Sequence, residues 1–301
     1  MKSQAAMEYL MTYGWAILVI AVVLAALYSL GIFNPNTFAP KASAGSCEVV
    51  RPFGPTTTTD VHLEGTCTNM IPKYVMVGGP NPSSHIIVND TSFNDTFKST
   101  NSLTLSTWEY ELPNSECEVS MSNIFPMNSG LPGFIFRFGV SGGGWAPNRV
   151  LLELFTPTVQ TNMFSTKTLS YNVWNNIAAS YNGSIVKFYI NGNPAGNLSY
   201  NGILSSGPNS VLAIGSNFNS GCYSYFPGYI SNFQIYNKAL SANQISALYQ
   251  EGIGGAPIEL THLVAWYPLN GNANDYSGND YNGKEYDVAY SSTWYRTYSA
   301  P

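Results

Sequence analysis

The stretch Trp174–Asn193, WNNIAASYNGSIVKFYINGN, decides how the chain is read. Two apolar, strand-like runs, Ile177–Tyr181 and Ile185–Ile190, are each followed by Asn-Gly, at 182–183 and 191–192. Asn-Gly is the strongest short hairpin signal, because a type I′ turn needs positive φ at both central residues. Two tight hairpins are therefore expected in twenty residues. The same texture extends outward. Ser102–Trp108 alternates apolar and polar residues at period two, and Phe134–Gly139 and Val150–Phe155 are further strand candidates. Many short strands with regular turns argue for a two-sheet sandwich. One helix interrupts them: Ser241 is a candidate N-cap, Gln244 its capping-box partner, Ile245, Leu248 and Tyr249 the apolar stripe, and Gly252 the stop. It is expected on the sandwich edge.

These segments resemble the laminin-G-like, concanavalin A-like jelly roll. The residues that carry the likeness are Trp174–Gly183, Phe188–Gly192, Ala213–Gly215, Phe226–Tyr236 and Ala239–Ile245, with weaker matches back to Tyr74. The resemblance implies two antiparallel sheets packed face to face, often with a carbohydrate or protein bound on one edge or face. The order of segments departs from the family. Leu263–Gly271 and Asn274–Gly278 resemble text that usually begins the domain, yet here they come last. Three placements are open. The C-terminal strand can complete its own sandwich as a circular permutation, enter a neighbour's sandwich, or belong to a truncated second domain.

The other end of the chain is different. Leu10–Phe33, LMTYGWAILVIAVVLAALYSLGIF, is apolar, and no charge falls between Glu8 and Lys41. As a helix it would be roughly 36 Å long, enough for about 30 Å of hydrocarbon. A secretory signal would have a shorter core, although Ala42-Ser43-Ala44 imitates a cleavage site. In front stand Ser3, Gln4 and Glu8. This arrangement resembles the archaeal class III signal sequence of type IV pilin-like proteins. The resemblance implies removal of a short leader before Gln4 by a membrane prepilin peptidase, leaving Glu8 fifth in the mature chain. It also implies that the helices leave the membrane and pack with copies of themselves in a filament. Glu8 could then pair with the Gln4 amine of a neighbour, a desolvated pair that mainly fixes register.

Low charge fits this picture. Only 10% of the 301 residues are charged, and the net charge is −5 with 12 Lys and Arg. No basic face for nucleic acid is expected, and one spanning stretch excludes a polytopic membrane protein. The expected architecture is mainly β: a long apolar N-terminal helix followed by an antiparallel sandwich. Its parts are a leader at 1–3, a transmembrane and assembly helix at 4–33, a linker at 34–46, a disulfide-bearing β collar at 47–72, and the sandwich at 73–301 with a completing strand within 260–290. The expected location is a membrane-inserted precursor that yields a cell-surface filament with the β domain outside.

Cys47, Cys67, Cys117 and Cys222 allow three pairings. Beyond a membrane helix they suit disulfides, with Cys47–Cys67 and Cys117–Cys222 favoured. His62, His85 and His262 lie far apart, which gives no zinc pattern. Glu109 and Glu111 share a strand face at period two beside Trp108 and Tyr110, the only candidate carboxylate pair for glycoside hydrolysis within a strand. They read as solvated carboxylates on an outward face, and no enzyme is expected. Asn272, Asp275 and Asp280 lie in a Gly/Asn-rich loop that could offer oxygen ligands to calcium, or could simply bond to its own backbone. Tyr276, Tyr281 and Tyr286 beside it are candidates for stacking on sugars. Sequons fall at Asn89, Asn94, Asn182 and Asn197, with Asn89 and Asn94 the better glycan acceptors because Asn182 sits in a turn. The expected function is a surface pilin-like subunit that displays a lectin-like sandwich to glycans or proteins. The alternatives are a membrane-anchored receptor that does not polymerise and, more weakly, a surface glycosidase.

Overall fold

The computed structural model describes residues 2–29, 42–78, 84–96, 101–112, 122–126, 133–137, 149–155, 160–202, 204, 210–215, 226, 228–294 and 298–301. The chain divides into two compact units, Met1–Lys41 and Ala42–Pro301.

The first unit is helix α1, Lys2–Ser29. Its side chains are described over 13–26, a length of about 21 Å at 1.5 Å per residue. Every one of them is exposed, including Trp15, Ile17, Leu18 and Val22. No helix among the described residues is long and apolar enough to cross a membrane. The side chains of Ser3, Gln4 and Glu8 and linker residues 34–41 lie outside the described residues.

The second unit is a sandwich of two antiparallel sheets. The first sheet runs β11 (Gln160–Phe164), β10 (Leu151–Phe155), β9 (Gly133–Arg137), β8 (Ser122–Pro126), β15 (Ser210–Ile214), β6 (His85–Val88) and β18 (Lys284–Tyr286). The second runs β14 (Asn193–Ser199), β13 (Ile185–Ile190), β12 (Trp174–Tyr181), β7 (Leu103–Glu111), β16 (Gly228–Tyr236), β5 (Val75–Gly78) and β19 (Ala289–Ser291). Between them lies one apolar core that includes Leu105, Ile177, Phe188 and Ile235 from the second sheet and Leu152, Leu212 and Ile86 from the first.

The two Asn-Gly pairs differ. Asn191 and Gly192 both have positive φ, at 50° and 71°, and join β13 to β14 in a two-residue turn, as the type I′ reading requires. At the other pair only Gly183 is left-handed. The loop there has three residues, 182–184, and Asn182 Oδ1 accepts from the Ser184 and Ile185 amides at 3.1 and 2.9 Å. The Asn side chain replaces the backbone bond of a tighter turn, which corrects the expectation of two equivalent hairpins.

The C-terminal segment completes the sandwich of its own chain. Strand β17 (Leu263–Tyr267) pairs antiparallel with β16, while β18 and β19 extend β6 and β5 at the two sheet edges. Trp266 is fully buried on the outer face of the second sheet, and its Nε1 donates to Asn232 Oδ1 at 2.8 Å. Gln234 donates to the same oxygen at 3.0 Å and accepts from the Tyr236 hydroxyl at 2.6 Å. This network fixes the register of β17, which is bulged at Val264, against β16.

Helix α3 (Ala242–Gln250) follows β16; α2 is the short Thr91–Thr96 turn. The capping box forms: Ser241 Oγ accepts from the Gln244 amide, and the Gln244 side chain accepts from the Ser241 amide at 2.9 Å. Ile245 and Leu248 are buried against Tyr236, Leu263 and Trp266.

The collar is part of this unit. Strands β2 (Cys47–Val50) and β3 (His62–Gly65) form one ribbon, and β1 (Ala42–Ser43) pairs in parallel with β4 (Met70–Ile71). Cys47 and Cys67 are joined, with Cα atoms 4.9 Å apart. Cys47, Val49 and Met70 share a cluster with Trp266 and α3, so the ribbon covers the outer face of the sheet. Cys117 and Cys222 lie outside the described residues. Replacing both Cys47 and Cys67 with Ala should cost about 3 kcal/mol, the loop-closure value for a loop of this length. Chemical denaturation of the oxidised and double-variant proteins measures it; equal midpoints would show that the link adds nothing.

Candidate functional site

The loop after β17 is built around one carboxylate. Asp275 is 9% exposed, and its oxygens accept from four donors. Oδ1 takes the amides of Trp266 and Ser277, both at 2.9 Å. Oδ2 takes the Ser277 hydroxyl at 2.8 Å and the Tyr281 amide at 3.1 Å. Burial raises the Asp275 pKa, and these bonds pull it back only in part. The other two candidate calcium ligands point to different work. Asn272 Oδ1 accepts the Asn274 amide at 3.0 Å, and Asp280 is exposed with φ 62°. No cluster of three His, Cys, Asp or Glu suited to a metal ion occurs among the described residues.

Arg51 ties the collar to this loop. It is 8% exposed, and its Nε donates to the Ser277 carbonyl at 2.9 Å. Its Nη2 donates to Leu263 and Leu260 carbonyls at 2.9 and 3.0 Å, and Nη1 to the Thr57 carbonyl. Burial lowers its pKa, with Asp275 and Tyr281 opposing. An arginine stays cationic through such a shift, whereas a lysine would not serve here, because only a planar fork reaches four carbonyls.

Above this guanidinium lies a pocket of about 60 Å³. Its floor includes the buried Leu263, Val264, Asn279 and Tyr281. Thr56, Thr58 and Thr261 are exposed at its rim, and Thr96 and Asn237 complete the wall. The lining is thus hydroxyl and amide, with one cation whose donors are mostly engaged.

Glu109 and Glu111 are not solvated. They are 0% and 2% exposed, and β7 is buried at all nine positions. The alternation Leu103, Leu105, Thr107, Glu109, Glu111 puts them on the face that carries the inter-sheet core residues Leu103 and Leu105. Neither Glu109 oxygen has a hydrogen-bond partner. Burial, then repulsion by Glu111, pushes the Glu109 pKa well above the carboxylate range.

Other expectations shift as well. Asn94 lies inside α2 at 5% exposure, which is poor access for a glycan; Asn89, Asn182 and Asn197 are exposed. Tyr281 is buried at 3%, packed edge-on against Phe93, and so is not a surface stacking platform. Tyr276 packs against Trp266, while Tyr286 is 40% exposed and stacks on His85. Sequence reasoning missed Arg51, Asn237 and the threonine rim. They come from three separate segments, 51–58, 237 and 261, and form no local pattern.

The fold is an antiparallel two-sheet β-sandwich. The family model described as the concanavalin A-like lectin/glucanases superfamily matches residues 80–246, more than half of the chain. The chain belongs to that superfamily. Among solved structures it is similar to the native heptameric SAP-like pentraxin from Limulus polyphemus, with a TM-score of 0.50 and 16% identity, over 72% of this chain and 93% of that one. It is also similar to a protein from Bacteroides ovatus described as carbohydrate binding, with a TM-score of 0.50 and 17% identity, over 77% of this chain and 63% of that one. At these identities the likeness is one of fold. No protein of curated function matches the sequence.

Proposed function

We propose that the chain is a cell-surface subunit whose apolar helix is buried in membrane and then among copies of itself, and whose sandwich binds glycans or proteins outside. The observation that carries the assembly half is the exposure of α1: Trp15 is 70% exposed, Ile17 65% and Leu18 54%. A helix apolar all round needs lipid or neighbours to cover it. The apolar run continues in the sequence from Leu10 to Phe33, and Ser3, Gln4 and Glu8 supply the leader-cleavage pattern that a prepilin peptidase would read. Membership of the lectin-like superfamily supports the binding half.

A binding rather than a hydrolytic role fits the placement of Glu109 and Glu111, which are sealed from solvent. Calcium is not required by this reading. Mass spectrometry of the mature N-terminus is expected to find Gln4, or its cyclised form, as the first residue. A mature chain that starts at Met1 or near Gly45 overturns the pilin-like half. Electron microscopy of sheared surface fibres then separates the polymer from a non-polymerising anchored receptor.

A further inference from the structure

We propose that the pocket beside Arg51 is a saccharide subsite, which receives the hydroxyl-bearing edge of a single neutral sugar through Asn237 and Tyr281. This rests on the binding role proposed above and names where and what the sandwich binds.

Two polar atoms in the wall and floor of the pocket are buried without a hydrogen-bond partner: Asn237 Oδ1 and the Tyr281 hydroxyl. Both residues are otherwise fixed. The Asn237 amide donates to the His262 carbonyl at 3.0 Å, and its own carbonyl accepts from the Ser102 hydroxyl at 2.8 Å. The Tyr281 amide is held by Asp275 at 3.1 Å, and its carbonyl accepts from the Tyr267 hydroxyl at 2.6 Å. Its ring packs on Phe93. Burial raises the pKa of the phenol and the Thr96 hydroxyl beside it lowers it, but Thr96 makes no hydrogen bond of normal geometry to it, and its own proton goes to the Ser92 carbonyl at 3.1 Å. The backbones are thus locked, and the two free side-chain functions face the cavity. Leaving a buried donor or acceptor unsatisfied is costly, so such groups commonly mark the place of a bound molecule.

The chemistry of the two groups selects the ligand. The amide oxygen can only accept, so its partner must donate. The phenol both donates and accepts, and its proton is used only by a partner that accepts. A carboxylate or a fully deprotonated anion has no proton for Asn237. A cation has no lone pair for Tyr281, and Arg51 repels it. A hydroxyl does both, and neighbouring hydroxyls on a sugar ring can meet both walls and the exposed threonines at the rim. Size agrees. At roughly 15 Å³ per water the pocket holds about four waters, too little for an oligosaccharide and enough for one edge of a ring. Arg51, with its fork spent on four carbonyls, holds the floor in place and binds nothing itself.

The test uses the full chain in a detergent without a sugar headgroup. Saturation-transfer NMR against methyl glycosides of common neutral monosaccharides, and a glycan array, are run on the wild type and two variants. Tyr281→Phe deletes only the hydroxyl, and Thr58→Trp closes the rim from an exposed position. Thermal melts confirm that both variants fold. The expected result is binding of at least one monosaccharide, weakened about tenfold or more by each variant. Glycan binding that survives both variants overturns the subsite and leaves the wider function standing. No saccharide bound by the wild type overturns the subsite and the glycan half of that function together, and marks the pocket as a place for water.

Discussion

Replacing Asp275 with Ala should lower the stability of the sandwich by about 3–5 kcal/mol, among the largest effects a single substitution produces. The reason is the identity of the four donors. Three are backbone amides, of Trp266, Ser277 and Tyr281, and none can move to water without opening the loop. Each buried amide left unpaired costs about 1–3 kcal/mol, and partial relaxation keeps the sum below the simple total. The Trp266 amide belongs to β17, so the carboxylate also seals the edge of that strand, with the Tyr276 amide donating to the Trp266 carbonyl at 2.8 Å. Asp275→Asn keeps an acceptor and should fall between the two. Thermal melts of the three proteins measure this. Calcium or a chelator should leave the wild-type midpoint unchanged at this loop, since both oxygens are already engaged. A chelator that reproduced the Asp275→Ala loss would instead make Asp275 a metal ligand.

Replacing Glu109 with Leu should stabilise the protein at neutral pH by about 1–3 kcal/mol, the cost of a buried polar group without a partner. The neighbours across the strands are Asn175 on β12 and Ile230 on β16, with Glu111 on the same face of β7. The raised pKa means that the folded chain holds a proton which the unfolded chain releases. The sign follows by linkage. The contribution is fully present below the ordinary value of 4.5 and is lost as pH rises toward the raised one. Wild-type stability should therefore fall as pH climbs out of the acid range, and the variant should show a flatter profile. Denaturation midpoints across that range test it. A variant less stable than wild type at every pH, with an unchanged slope, would mean that the carboxyl has a partner or packs a space Leu cannot fill.

How far the sequence could be read varies residue by residue. The Asn191-Gly192 turn and the Ser241–Gln244 capping box depend on residues close in sequence, whose preferences act before any tertiary contact forms. Asn182-Gly183 carries the same two letters as Asn191-Gly192, yet Ser184 joins the loop because the Asn side chain offers a competing bond. Glu109 and Glu111 share one face of one strand, as period two predicts, but that face is the buried one and not the outward one. Period two gives relative facing only. Polarity normally tells inside from outside, and that signal fails on β7, where the first sheet covers one face and aromatic residues such as Tyr249 and Tyr298 cover the other.

The sequence by itself determined the broad architecture: an apolar helix and a sandwich of short strands. Those features arise from local composition and periodicity, which need no knowledge of what lies opposite. Only the tertiary structure decided where the C-terminal strand docks and what surrounds Arg51. That pocket joins residues from 51 to 281, and the partners of Asp275 and Tyr281 are chosen by how the collar, α2 and the last loop close on one another. Hydrogen bonds between such distant groups leave no spacing in the chain, so the residues most fit to meet a ligand are the ones the sequence shows least.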